Sequence, residues 1–214
     1  MKSIFVLCVS FVISIPLAIS QMNIVDCYNK LPNKKELGSI QKNPKKKGDY
    51  FYLSPLGDTL AVTVDLKNGF IEIVDNGTGG GTETVQLAKF KTADGKQLVV
   101  YRMDSREGDN GMQSNFDYTA YWVQNEKLVL AKGILPVLSV QDFLETPEKV
   151  LSLEQNKQIL MKLHCYLELP RNGTTIIWRI QPSDGDPYLK KIKYKKNQLV
   201  FDKKTGKFSF ATKS

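Results

Sequence analysis

A single histidine, His164, serves a chain of 214 residues, and that scarcity excludes any metal centre built on several imidazoles. The residues around it alternate, with Leu160, Lys162, Tyr166 and Glu168 on its side and Ile159, Met161, Leu163, Cys165, Leu167 and Leu169 on the other. This spacing predicts a strand over 159–169 that turns His164 outward. Glu168 could pair with it as a base, but no nucleophile can be placed beside them, and Cys165, as the next residue, points to the opposite face. A Gly-x-Ser-x-Gly elbow is missing too. The glycine-rich run Gly77-Thr78-Gly79-Gly80-Gly81-Thr82 has no lysine and leads into a strand, where a phosphate loop needs a lysine and a helix N-terminus. Asp104-Ser105-Arg106-Glu107-Gly108-Asp109-Asn110-Gly111 and Asp184-Gly185-Asp186 lack the alternating oxygens and distant glutamate of an EF-hand, and read as solvated turns. The residues therefore assign no catalytic group, metal ligand, cofactor or nucleotide site.

Long apolar runs are equally scarce. The one that exists opens the chain: Met1-Lys2, an apolar stretch from Ile4 to Ile19, then Ala18-Ile19-Ser20 ahead of the polar Gln21. A charged start, an apolar middle and a small-x-small end form a cleavable secretory signal over 1–20. Ser10, Ser14 and Pro16 interrupt the run, against the about 20 apolar residues of a membrane-crossing helix. No cysteine is placed to end a lipid-attachment motif. Leu128 to Val140, the next candidate span, is broken by Lys132, Gly133 and Pro136, so no transmembrane segment is expected after signal removal. The expected location is periplasmic or extracellular.

Cysteine is sparse. Loss of the signal takes Cys8 and leaves Cys27 and Cys165, an even pair in a compartment that is usually oxidising. One disulfide between Cys27 and Cys165 is one outcome; two buried thiols is the other. Cys165 lies on an apolar face, and Cys27 shares helical spacing with Ile24, Tyr28 and Leu31.

What the chain has in quantity is alternation. A short helix capped at Asn23 and Asp26 ends before Pro32, and the polar, lysine-rich stretch to Gly48 reads as a loop or linker, together forming a leading segment 21–48. The period then becomes two. Leu60, Val62 and Val64 turn through Asn68-Gly69 into Phe70–Val74; Thr84–Phe90 turns through Asp94-Gly95 into Gln97–Met103; Phe116–Val123 pairs with Lys127–Ala131 across Asn125-Glu126. A capping pattern at Ser139-Val140-Gln141-Asp142 introduces a helical segment through Leu153, which Pro147 splits. Strands return at 159–169, Thr174–Gln181, Tyr188–Lys195, Gln198–Asp202 and Lys207–Phe210. The fold class is thus α+β and β-rich: antiparallel meander sheets, a short N-terminal helix, and a helical segment between two β-rich halves. Residues 49–214 form the globular domain, as one continuous sheet or as two lobes, 49–138 and 139–214.

Charge is the strongest surface signal. The chain carries a formal +8, and removing Lys2 with the signal leaves +7. Lys190, Lys191, Lys193, Lys195, Lys196, Lys203, Lys204 and Lys207 crowd the C-terminal strands among Tyr188, Ile192, Tyr194, Phe201 and Phe208. Such a patch attracts anions, although lysines on outer strands also guard against edge pairing, and lysine does not offer the arginine fork for phosphate. Phe116, Tyr118, Ala120 and Trp122 share one strand face, as do Ile176, Trp178 and Ile180, and both sets read as sheet core. Asn76-Gly77-Thr78 and Asn172-Gly173-Thr174 match the N-glycosylation acceptor and lie in expected turns.

The sum of these features, an export signal followed by a lysine-heavy β-rich domain that ends in the hairpin Phe201-Asp202-Lys203-Lys204-Thr205-Gly206-Lys207-Phe208, resembles the uncharacterised exported proteins of Bacteroides-type bacteria. That resemblance is one of overall pattern; it implies a periplasmic or outer-surface location and no particular activity. The expected function is non-catalytic binding of an anionic polysaccharide, an envelope component or a protein. A hydrolase using paired carboxylates and an inhibitory or structural module that pairs through a sheet edge are the alternatives.

Overall fold

The computed structural model describes residues 21–32, 37–77, 81–107, 112–142, 152–180 and 197–211. Helix α1, Ile24–Asn29, begins where Asn23 caps it, its carboxamide oxygen accepting from the Asp26 backbone N–H at 2.9 Å. Eight strands follow in a continuous meander: β1 Ser39–Lys42, β2 Tyr50–Leu53, β3 Thr59–Asp65, β4 Phe70–Asp75, β5 Thr82–Lys91, β6 Gln97–Glu107, β7 Met112–Gln124 and β8 Lys127–Leu130. Each pairs antiparallel with the next, in the order β1 to β8. The three expected hairpins are all present. At the β7–β8 turn, Asn125 and Glu126 take φ of 47° and 58°, the two left-handed residues of a tight primed turn.

Two features differ from expectation here. Residues 32–48 are not all loop, because Ser39–Lys42 pairs with Tyr50–Leu53. Ile40 is buried, and the Asn29 side chain serves both of its backbone groups, donating to the Ile40 carbonyl at 2.9 Å and accepting from its N–H at 3.1 Å. The strand is thus held from the helix, a tertiary contact that local polarity conceals. Asp104 and its neighbours to Glu107 belong to β6 and form no solvated turn. Asp104 is 2% exposed.

Residues 159–169 are likewise not one strand. Helix α2 runs Leu153–Lys162 from a capping box in which the Ser152 hydroxyl accepts from the Gln155 N–H and the Gln155 side chain accepts from the Ser152 N–H. Only Cys165–Glu168, β9, is a strand. The apolar residues of the run satisfy a helical spacing as readily as an alternating one: Leu160 and Leu163 are buried three apart, while Ile159 and Met161 are half-buried. His164 ends the helix in a left-handed conformation, φ 46°, and is buried at 9%, so it does not project outward from a strand. Val140–Asp142 forms one 3-10 turn, and the rest of the expected helical segment, Phe143 to Leu151, lies outside the described residues. Strands β10 Thr175–Ile180, β11 Gln198–Asp202 and β12 Lys207–Phe210 complete a second sheet, ordered β12-β11-β10-β9. The expected strand Tyr188–Lys195 is outside the described residues.

Alternation on the larger sheet makes two cores. Phe70, Ala88, Phe90, Leu98, Val100 and Ala120 face the second sheet and pack with Leu167, Ile176, Trp178, Leu199, Phe201 and Phe208, and with Leu160 of α2 and Leu163 at its C-cap. The opposite residues, Ile71, Ile73, Val85, Leu87, Val99 and Tyr101, pack around α1 through Ile24, Cys27 and Tyr28. Among the described residues the chain thus forms an eight-stranded and a four-stranded sheet that share a core. No disulfide joins Cys27 and Cys165: each is buried in a different core, with the large sheet's strands between the two.

Candidate functional site

The C-terminal lysine patch divides in two. Lys190, Lys191, Lys193, Lys195 and Lys196 lie outside the described residues, whereas Lys203, Lys204 and Lys207 are exposed on the β11–β12 hairpin. That hairpin is shaped by Asp202, whose carboxylate accepts from the Lys204 backbone N–H at 2.8 Å and from the Thr205 hydroxyl at 2.8 Å. These bonds hold the Asp202 carboxyl below its ordinary range. Gly206, at φ 70°, closes the turn by donating to the Asp202 carbonyl at 2.8 Å. A Cβ at Gly206 would lie 2.8 Å from the Trp122 ring, so only glycine lets the turn rest on the indole.

Sheet packing brings this turn against the other end of the β5–β6 hairpin. The Ala93 N–H donates to the Lys203 carbonyl at 2.7 Å. Between the two turns and the end of β7 lies a cleft of about 450 Å³, lined by Thr92, Asp94, Lys96, Trp122, Val123, Gln124, Lys204 and Thr205. Asp94 accepts from the Thr92 hydroxyl at 2.5 Å and pairs with Lys96 at 2.8 Å. Led by the Lys96 and Thr92 bonds, these contacts lower the Asp94 pKa to about 2 and keep it an acceptor. Trp122 is half-buried: it packs on the shared core, as its strand face predicts, and also walls the cleft. Phe90, Phe201 and Phe208 stabilise the neighbouring core with ring centroids 4.9 to 5.3 Å apart.

A second polar constellation is interior. Glu72, Gln86, Arg102 and Tyr118 lie side by side across β4, β5, β6 and β7. Gln86 donates to Glu72 at 2.6 Å and accepts from the Leu169 backbone N–H at 3.1 Å, tying the sheets together. Arg102, 3% exposed, donates to Asp104 at 3.1 Å, with Arg106 at 3.4 Å from the same carboxylate oxygen. Both guanidiniums overlie the Tyr166 ring, at 4.8 and 5.6 Å. Burial pulls the Arg102 pKa down against the opposing charge of Asp104. These contacts join one sheet to the other.

Asp75 and Glu83 oppose each other across β4 and β5, and burial, with the Asp75 charge, raises the Glu83 pKa although Ser105 bonds to it. Of the two glycosylation acceptors, Asn76 and Asn172 are both exposed, the latter in the bend before β10. Sequence reading missed Thr92, Asp94, Lys96, Gln124 and Thr205 as a group. The only local signals were the two hairpin turns at Asp94-Gly95 and Thr205-Gly206, and nothing local says that those turns meet. No family model matches the chain, and no curated protein or solved structure matches it.

Proposed function

We propose that the protein is an exported, non-catalytic binding protein whose ligand is a polyanion, an acidic polysaccharide of the envelope or its surroundings. The carrying observation is the β11–β12 hairpin, where Lys203, Lys204 and Lys207 stand exposed, Lys204 at the rim of a cleft, and close no ion pair among the described residues. A cluster of three lysines that outnumbers the hairpin's own carboxylate, Asp202, on a chain of formal charge +8 raises the local concentration of polyanions. Lysine suits such a ligand, because a hydrated point charge accepts carboxylate or sulfate in many geometries, where arginine would select a bidentate partner. Lys207 lies on β12, outermost in its sheet among the described residues, where it also discourages pairing with another sheet, and both roles are compatible. Retention on immobilised heparin tests the reading: elution well above the salt needed to remove the protein from a plain cation exchanger supports it, and coincident elution on the two contradicts it.

A second reading, a hydrolase, draws on the Asp75–Glu83 pair, because a carboxyl whose pKa burial raises, opposite a second carboxyl, is the pairing that acid–base hydrolysis uses. Release of new reducing ends from an acidic polysaccharide, abolished in Glu83→Gln, would favour it over binding alone.

A further inference from the structure

The cleft between the β5–β6 and β11–β12 turns combines three kinds of group that a bare polyanion site would not need together. One wall is the half-buried indole of Trp122. The rim carries the ammonium groups of Lys96 and Lys204, the first of them held by Asp94. Between them are hydrogen-bonding side chains of both senses: the Asp94 carboxylate, the Gln124 carboxamide and the Thr92 and Thr205 hydroxyls. An ionised carboxylate repels any anion at close range, so Asp94 is misplaced in a site for a phosphate chain, charged at every unit, and a ligand's single acidic group must lie away from Asp94, on the Lys204 side. It is well placed for a ligand with hydroxyl donors, since each carboxylate oxygen can accept beyond its bond to Thr92 or Lys96. An apolar ring wall suits the flat face of a sugar, and the cleft's volume of about 450 Å³ falls in the small-ligand range of roughly 300–1,000 Å³.

We propose that this cleft is a subsite for one acidic sugar unit of the polyanion, with the ring against Trp122, hydroxyls donating to Asp94 and Gln124, and the sugar's carboxylate or sulfate paired with Lys204. This rests on the polyanion reading and adds the chemistry of the repeating unit to it. Lys204 supplies the charge selectivity because its amine, unlike that of Lys96, is not committed to Asp94. The position of Lys204 is fixed by the Asp202 bonds to the turn and by Gly206 seated on the indole.

The test is a fluorescence titration of the protein with a short oligogalacturonate, with its methyl ester, which keeps the rings and every hydroxyl but not the charge, and with inorganic polyphosphate. Of the two tryptophans, Trp178 is 0% exposed, so a ligand-dependent change reports on Trp122. The expected result is a saturable change with oligogalacturonate, roughly tenfold weaker binding of the ester, and no indole response to polyphosphate. Lys204→Gln, an exposed change, should weaken oligogalacturonate binding by about tenfold and leave the ester unaffected. Trp122→Phe, checked for folding by circular dichroism, should abolish the response. Equal binding of the ester, an equal indole response to polyphosphate, or an indifferent Lys204→Gln overturns the subsite, while heparin retention then still upholds the polyanion reading. Failure of every polyanion to bind removes both.

Discussion

At the scale of single residues, the interior pair is the feature most sensitive to change. Arg102 is 3% exposed and leans on Asp104, so Asp104→Asn leaves a guanidinium buried without its counter-charge. A loss of about 3–5 kcal/mol is expected by urea denaturation, whereas Arg102→Met with Asp104→Leu should recover most of it, because two apolar groups have no desolvation cost to recover. Titration gives a second residue-scale prediction. Asp65 and Asp94 both have folded pKa values of about 2, below the ordinary aspartate value of 3.8: Asp65 chiefly through hydrogen bonds from Asn68, Asp94 through Lys96 and Thr92. The unfolded chain binds these protons first, so the contribution is present above about pH 4 and is lost as the pH falls towards 2. Thermal melts across that window should show the decline, with a shallower slope in Asp94→Asn. The thiols complete the residue scale. Burial pushes Cys27 up to about 11 and Cys165 higher still, so neither should react with a thiol reagent at neutral pH until the protein is unfolded, and reduction should leave the mass of the folded protein unchanged.

Among elements, the turns and caps decide geometry that packing alone leaves open. Gly206→Ala places a Cβ 2.8 Å from the Trp122 ring and forces a non-glycine residue to φ 70°, so it should cost about 1–2 kcal/mol and shift the tryptophan emission. Asn29→Ala removes both bonds to Ile40 and should expose the β1 amides to hydrogen exchange while the β5–β6 amides stay protected. Legibility in the sequence follows the same division. Hairpins were readable wherever the turn chemistry lay between two alternating runs, as at Asn68-Gly69, Asp94-Gly95 and Asn125-Glu126. The error at 159–169 arose because Leu163 alternates with Cys165 and Leu167 and also stands one helical turn from Leu160; the deciding signal, Ser152 with Gln155, lay just upstream. Strand β1 was illegible because its support comes from Asn29, a residue of another element. The cleft was half-legible: Lys204 stood out as charge and Trp122 as an apolar face, but Asp94 reaches them only because the β11–β12 turn docks on the β5–β6 turn, a contact between two sheets.

For the whole molecule, the two faces of the large sheet divide the labour. One face is occupied by α1, and among the described residues no helix is long and apolar enough to cross a membrane. The other carries the smaller sheet, whose β11–β12 hairpin exposes three lysines and places one of them, Lys204, at the cleft. The proposed function requires this hairpin to hold a polyanion through those lysines. The most direct measurement is the dissociation constant for heparin across a salt series, for the protein and for a variant with Lys203, Lys204 and Lys207 all changed to Gln. The expected result is a linear fall of log affinity with log salt, and a slope reduced in the variant by roughly one for each lysine removed. A variant with the same affinity and slope as the parent, or an affinity indifferent to salt, would contradict it.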